Sequence, residues 1–485
     1  MRLRRCLAVL VAGLAASGPA AAHPDGLTGS ALPLPGRAAY SCGAGRYRVK
    51  PGDTLSSIAR RFHSSVRRLA AANSLDPAAV LPAGIVLVIP KSDCERLRAT
   101  PTAAVGAEST VVAALDRAVQ VPGVSQARTG VVVVDLGSSS VVYALNPDAP
   151  LEPASTEKLP VAATALERLG GGFRIRTRVL GQGTLSGAIW RGDIFLNGYG
   201  DPALTSTGLT GLAHAIRARG ISSVTGHVVG DESYFDSERT VAGWKPSFAK
   251  TESPLLSALV VNRGILDGAA VDHPALAAAI LFTRALQRAG VSVAGSPTVG
   301  SAASTAVELT RRASPPLQTL LSQMDTWSDN FIAEMLLKTL GARLAGRGSS
   351  AAGAAAVRAA LAADAVPLAG VRLVDGSGLS SLDRLTARSL AAILETVWHQ
   401  PGLRPLLTSF AVAGSTGTLR HRLLDVPLHQ LVRGKTGTTD HSSALAGFVG
   451  SRFAFAVLNN GSPVDWQAAH LLQDRIAEAL LAAAG

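Results

Sequence analysis

The sequence predicts an α/β (α+β) chain. A large core of antiparallel strands flanked by helices is interrupted by a β-rich insert and preceded by a small strand–helix–helix–strand segment. Three observations carry this. Val131-Val132-Val133-Val134-Asp135 and Ser140 to Leu145 read as a buried hairpin joined across Leu136-Gly137-Ser138-Ser139. Leu159, Val161, Ala162, Ala165, Leu166 and Leu169 recur at helical spacing until Gly170-Gly171-Gly172 stops them. From Gly170 to about Thr310 short strand candidates dominate: Thr177 to Leu180, Asp193 to Leu196 and Ser223 to Val229, with a helix marked by Leu209, Leu212, Ala213 and Ile216. At 485 residues and 47% apolar content the chain exceeds one ordinary domain and has ample material for a large core.

The N-terminus reads as a secretory signal over residues 1–22. Arg2, Arg4 and Arg5 form the charged start, Leu7 to Leu14 the apolar run, and Ala20-Ala21-Ala22 the small-residue cleavage site. The apolar run is short for a span, and no later segment holds 18 uninterrupted apolar residues; retention of the signal as an anchor is the alternative. The mature chain is therefore expected outside the cytoplasm, secreted, periplasmic or wall-associated, with no transmembrane span once the signal is cleaved. The net charge of the full sequence, +12, fits a polyanionic partner. The arginines look scattered, and neither an aromatic-interleaved basic patch nor zinc spacing is present, so an anionic cell envelope is favoured over nucleic acid. No metal or cofactor is expected.

Cys42 and Cys94 bracket a segment of their own. Tyr47-Arg48-Val49 is a strand, Pro51-Gly52 a turn, Asp53 or Thr54 a helix cap, and Leu55, Ile58, Ala59 and Phe62 one helix face. Val66, Leu69 and Ala70 to Asn73 mark a second helix, and Ile85 to Ile89 a closing strand. Antiparallel pairing of the two strands brings Cys42 and Cys94 to neighbouring ends, where a disulfide is expected in an oxidising compartment; a pair of free thiols is the alternative. Tyr47-Arg48-Val49-Lys50-Pro51-Gly52-Asp53-Thr54-Leu55, Ile58-Ala59, Asn73 and Leu81-Pro82-Ala83-Gly84 with Ile89-Pro90 resemble a LysM domain over 42–94. The resemblance implies binding to the N-acetylglucosamine-containing glycan strands of peptidoglycan or chitin. Residues 95–109 follow with no durable period and read as a linker, leaving 110–485 for the main domain with its insert at about 172–310.

The chemistry centres on Ala154-Ser155-Thr156-Glu157-Lys158-Leu159, read as the start of a helix. Ser155 and Lys158 then share a face, and a lysine amine with a depressed pKa can take the serine proton. Ser328-Asp329-Asn330 precedes the apolar run Phe331 to Leu337, and Lys435-Thr436-Gly437-Thr438 sits among strand-like residues. Ser-x-x-Lys, Ser-x-Asn and Lys-Thr-Gly in this order form the set of penicillin-binding proteins and β-lactamases. Asp375-Gly376-Ser377-Gly378 reads as a tight turn, with an active-site role as the lesser reading. His441, Asp135, Glu157 and Asp329 read as solvated or capping positions.

Beyond the motifs, Arg191-Gly192-Asp193 to Pro202, Gly226-His227 to Asp236, Ser257 to Arg263 and Asp375 to Ser380 resemble the class C low-molecular-mass penicillin-binding proteins, the D-alanyl-D-alanine carboxypeptidase/endopeptidase family, from about Thr110 to the C-terminus. The resemblance implies a penicillin-binding, transpeptidase-like core. It implies a serine hydrolase cleaving D-Ala-terminated or D-Ala-cross-linked stem peptides of peptidoglycan through a Ser155 acyl-enzyme, with β-lactams as covalent inhibitors. In that scheme Lys158 is the base, Ser328 relays a proton to the leaving amine and Asn330 holds the substrate amide. Lys435 meets the terminal carboxylate and depresses the pKa of Lys158, while Thr436, Gly437 and Thr438 bind substrate. The backbone N–H groups of Ser155 and Thr438 form the oxyanion hole. A β-lactamase and a non-catalytic peptidoglycan-binding scaffold are the competing readings.

Overall fold

The computed structural model describes residues 46–50, 53–61, 66–76, 81–89 and 102–484. The chain divides into two units between Pro101 and Thr102. The expected signal, Cys42 and Cys94 lie outside the described residues.

In the first unit, β1 (Arg46–Arg48) pairs antiparallel with β2 (Val86–Val88), and α1 (Leu55–Arg61) and α2 (Val66–Ala72) lie between them in the chain. Leu55, Ile58, Ala59, Leu69, Leu81 and Leu87 form its core. Polar residues hold the corners. The Asp53 carboxylate accepts from the Tyr47 hydroxyl and the Lys50 amide, both at 2.8 Å. Asn73 donates to the Leu69 and Val88 carbonyls and accepts from the Val88 amide, which ties the end of α2 to β2.

The second unit opens with α3 (Thr102–Ala118), which begins inside the segment expected to be a linker. The alanines at 103, 104 and 107 are strong helix formers that need no apolar period, and Val111, Leu115 and Ala118 anchor the later turns. The core sheet has six antiparallel strands in the order β14 (Ala411–Val412), β15 (Val432–Thr438), β16 (Ser442–Val449), β17 (Phe453–Asn460), β3 (Thr129–Asp135), β4 (Ser140–Leu145). Alternate residues face opposite layers. Val132, Val134, Ala454, Ala456 and Leu458 join one cluster; Val131, Val133, Phe453, Phe455 and Val457 join the other. Burial on both faces explains the unbroken apolar runs. One layer holds α4 (Lys158–Leu169), α7 (Leu317–Trp327), α8 (Asn330–Ala345), α9 (Ser350–Ala363) and α10 (Ala387–His399); the other holds α3 and α11 (Trp466–Ala484).

The insert is a second sheet rather than loose strands. Its main path runs β11 (Ser292–Val293), β7 (Ser223–Val224), β6 (Ile189–Asn197), β5 (Arg176–Ser186), β13 (Val307–Ala313). β8 (Val228–Asp231) pairs with β6 and with β12 (Thr298–Val299). α5 (Ser206–Ala218) and α6 (Pro274–Arg288) pack on it through Leu209, Leu212, Ile216 and Phe282. A small hairpin, β9 (Ile265–Leu266) and β10 (Ala269–Ala270), lies before α6. The run expected as one strand over Ser223–Val229 is two, because Thr225, Gly226 and His227 step the chain from β7 to β8 beside β6.

Candidate active site

Ser155 does not open the α-helix directly. Ala154–Glu157 is a single 3-10 turn and the α-helix begins at Lys158. Ala154 has φ +45°, and two glycines press on this turn. A Cβ on Gly437 would stand 2.8 Å from the Pro153 carbonyl and 3.0 Å from the Ser155 amide; one on Gly378, at φ +81°, would sit 1.9 Å from the Ala154 carbonyl. Strand β15 on one side and the Asp375–Gly378 turn on the other thus fix the serine backbone.

Lys158 is fully buried. Its Nζ donates to Ser155 Oγ at 2.9 Å, Asn330 Oδ1 at 2.8 Å and the Ser377 carbonyl at 2.6 Å. Burial lowers its pKa to about 8, against the opposing pull of Asp375, Glu334, Asp329 and Asp325. This is the tuning a general base needs near neutral pH.

Ser328 joins α7 to α8 in a left-handed conformation, φ 61° and ψ 41°. A non-glycine residue there costs of order 1–3 kcal/mol, and the turn aims its hydroxyl at Lys435 Nζ, 2.8 Å away. Asp329 then caps α8 through the Ile332 amide and receives both guanidinium nitrogens of Arg263 at 2.9 and 3.0 Å. Asn330 donates from Nδ2 to the Glu252 carbonyl at 3.0 Å, which orients its Oδ1 toward Lys158.

Lys435, fully buried on β15, also donates to the Thr436 carbonyl. Its pKa is pushed well below the usual lysine value, first by burial and then by the charge of Lys158. Burial is the leading cause for both lysines, and the repulsion between their charges acts on each of them. Thr436 bonds Thr418 Oγ1 at 2.7 Å, and Thr438 is exposed at the strand end.

The Asp375-Gly376-Ser377-Gly378 turn, for which an active-site role was the lesser reading, reaches the site through the Ser377 carbonyl. Asp375 holds the turn by accepting from the Gly378 and Ser380 amides and from Trp244 Nε1; Glu334 accepts from the Gly376 and Ser377 amides. Glu157, expected as a cap or solvated charge, is completely buried beside Lys158 with no hydrogen-bond partner on either oxygen. Burial, then the neighbouring Asp375 and Glu334, raises its pKa well above the usual carboxyl value. Asp329 and Asp135 do act as caps. The insert reaches the site through Trp244, Glu252 and Arg263.

The three motifs meet in one cleft, which defines the class of active-site serine penicillin-binding proteins and β-lactamases. A model of the D-Ala-D-Ala carboxypeptidase 3 (S13) family matches residues 111–269 and 264–483, and a LysM model matches 47–90. A D-alanyl-D-alanine carboxypeptidase of an Actinomadura species is 30% identical over 455 residues, 76% of this chain and 84% of the relative. A carboxypeptidase of Mycobacterium tuberculosis is 33% identical over 342 residues, 64% of this chain and 72% of the relative. The crystal structure of penicillin binding protein 4 from Haemophilus influenzae shares the fold with a TM-score of 0.69 at 23% identity, covering 76% of this chain and 99% of that one. The chain belongs to the D-Ala-D-Ala carboxypeptidase 3 (S13) family and carries a LysM domain. Among the described residues no helix is long and apolar enough to cross a membrane.

Proposed function

We propose that the chain is a serine D-Ala-D-Ala carboxypeptidase/endopeptidase of peptidoglycan stem peptides. The observation that carries this reading is the desolvated Lys158 amine held 2.9 Å from Ser155 Oγ, with Ser328 and Lys435 bonded at 2.8 Å. Neutral Lys158 accepts the Ser155 proton as Oγ attacks the carbonyl of the penultimate D-Ala. The amides of Ser155 and Thr438 take up the oxyanion. The proton taken up by Lys158 is passed through the Ser328 hydroxyl, which relays it to the amine as the C–N bond breaks and D-Ala, or the cross-linked partner, leaves. Water then hydrolyses the Ser155 ester. Asn330 holds the substrate amide, and Thr436 and Thr438 add hydroxyls. The ammonium form of Lys435 meets the entering substrate carboxylate, and that negative charge favours the ammonium form in return.

The LysM domain is read as holding the enzyme to glycan strands of the wall, and residues 1–22 as directing it out of the cytoplasm. Acylation by labelled penicillin, followed by the lifetime of the adduct, tests the reading. A long-lived adduct is expected; rapid turnover indicates a β-lactamase, and no adduct a scaffold.

A further inference from the structure

A second cavity, of about 470 Å³, lies where the insert sheet meets α8 and is lined by Arg174, Arg176, Arg178, Arg343, Tyr199 and Tyr234 among others. Its construction follows from strand geometry. Arg174, Arg176 and Arg178 alternate with the buried Ile175, Thr177 and Val179, so the three guanidinium side chains leave one face of the chain entering β5. Arg343 comes from the far end of α8. It lies 13 residues after Asn330, about 20 Å along the helix axis, so the cavity is separate from the cleft that holds Ser155.

Among the described residues no carboxylate lines the cavity. Glu308, outside the lining, approaches Arg178 at 3.4 Å and is shared with Arg311 at 3.4 Å. Arg174 donates to the Ser314 carbonyl, which neutralises no charge. Arg343 lies over the Phe173 ring, 5.4 Å from its centroid, and faces the Tyr234 hydroxyl. Arg178 lies over the Tyr199 ring at 5.2 Å, and the Tyr199 and Tyr234 rings stand 4.8 Å apart, tilted by 54°. Four guanidinium groups, of which Arg178 is the one approached by a carboxylate among the described residues, therefore surround one opening, next to two aromatic faces carrying hydroxyls.

We propose that this cavity binds a saccharide carrying a terminal phosphate monoester. A guanidinium is charged at every working pH and offers a planar fork that matches phosphate oxygens. A single carboxylate would offset only one of four cations, whereas a phosphate monoester brings close to two charges. The tyrosine rings supply flat apolar faces and hydroxyls for a sugar, and the volume lies in the range of small-ligand sites. Arg174, Arg176 and Arg343 are exposed at the mouth, which leaves room for a chain to continue beyond the bound unit.

Isothermal titration calorimetry of the full chain with glucose 6-phosphate at low ionic strength tests this, with glucose as the neutral control. Saturable 1:1 binding of the phosphate and none of glucose is expected. The variant R176E/R343E should bind about tenfold more weakly or worse while penicillin acylation stays unchanged, which also reports that it is folded. The milder Arg176→Gln, at an exposed position, should weaken binding in the same direction. Inorganic phosphate binding as tightly as glucose 6-phosphate would overturn the saccharide assignment. Absence of binding, equal binding of glucose, or unaltered affinity in the folded variants overturns the proposal.

Discussion

In the LysM unit the residues that carry the family pattern bond to the fold itself: Asp53 to Tyr47 and the Lys50 amide, Asn73 across α2 and β2. In the second unit the motif residues bond to one another around a cleft: Lys158 to Ser155 and Asn330, Lys435 to Ser328. The same kind of sequence signal thus marks structural closure in one unit and chemistry in the other. What separates them is desolvated charge. Buried Lys158 and Lys435 sit among buried Glu157, Glu334, Asp325 and Asp375, an arrangement that stability alone disfavours.

The largest effect should come from Ser155→Ala, which is expected to abolish penicillin labelling while leaving the melting transition of the second unit in place. Label persisting on the mutant would place the nucleophile elsewhere. Lys158→Gln should slow acylation by about 10²–10⁴-fold. In the parent enzyme protonated Lys158 cannot accept a proton, so acylation should fall about tenfold per pH unit below the lysine pKa of about 8 and level off above it. A rate independent of pH between 6 and 9 would remove Lys158 as the base.

Asn73→Ala sharpens the other side of the contrast. It should destabilise the first unit by about 1–3 kcal/mol, read as a lowered calorimetric transition, with labelling of Ser155 unaltered. Glu157→Gln tests the buried charge. Because the folded pKa of Glu157 is raised, its contribution to stability is full below about pH 4.5 and is lost as pH rises toward the raised value. The neutral amide of the variant does not titrate, so its stability relative to the parent should rise as pH increases above about 4.5; a gain toward low pH would reverse the assignment. The smallest change in chemistry is expected from deleting residues 23–94. Turnover of a soluble D-Ala-D-Ala peptide should hold, while pelleting with insoluble peptidoglycan falls.

What was legible in the sequence had local causes. The β3–β4 hairpin, the helices after Ser155 and Asn330, and the LysM elements follow from periodicity and caps. The three motifs follow from residue types at short spacing. The remainder depends on contacts between distant segments. Nothing near Ser377 announces that its carbonyl meets a lysine 219 positions earlier, or that Trp244 clamps Asp375 across 131 positions. Glu157 was read as a polar neighbour because burial of a charged residue is not visible in a local window. Arg174, Arg176 and Arg178 do show an alternation that signals one strand face, but Arg343 joins them only in three dimensions.

The pairing of β3 with β17 also joins distant parts of the chain around the site. Val132 lies opposite Ala456, so the second-to-last strand of the sheet path is completed only by residues near the C-terminus. Before β15 to β17 exist, β3 and β4 form a two-stranded hairpin, which is marginal in water. Closing such long loops costs entropy before any contact repays it. Lys435 and the strand that grips the Ser155 turn arrive with the same late segment. A chain truncated before β15 therefore carries Ser155 and Lys158 without Lys435 and without the strand that grips the serine turn.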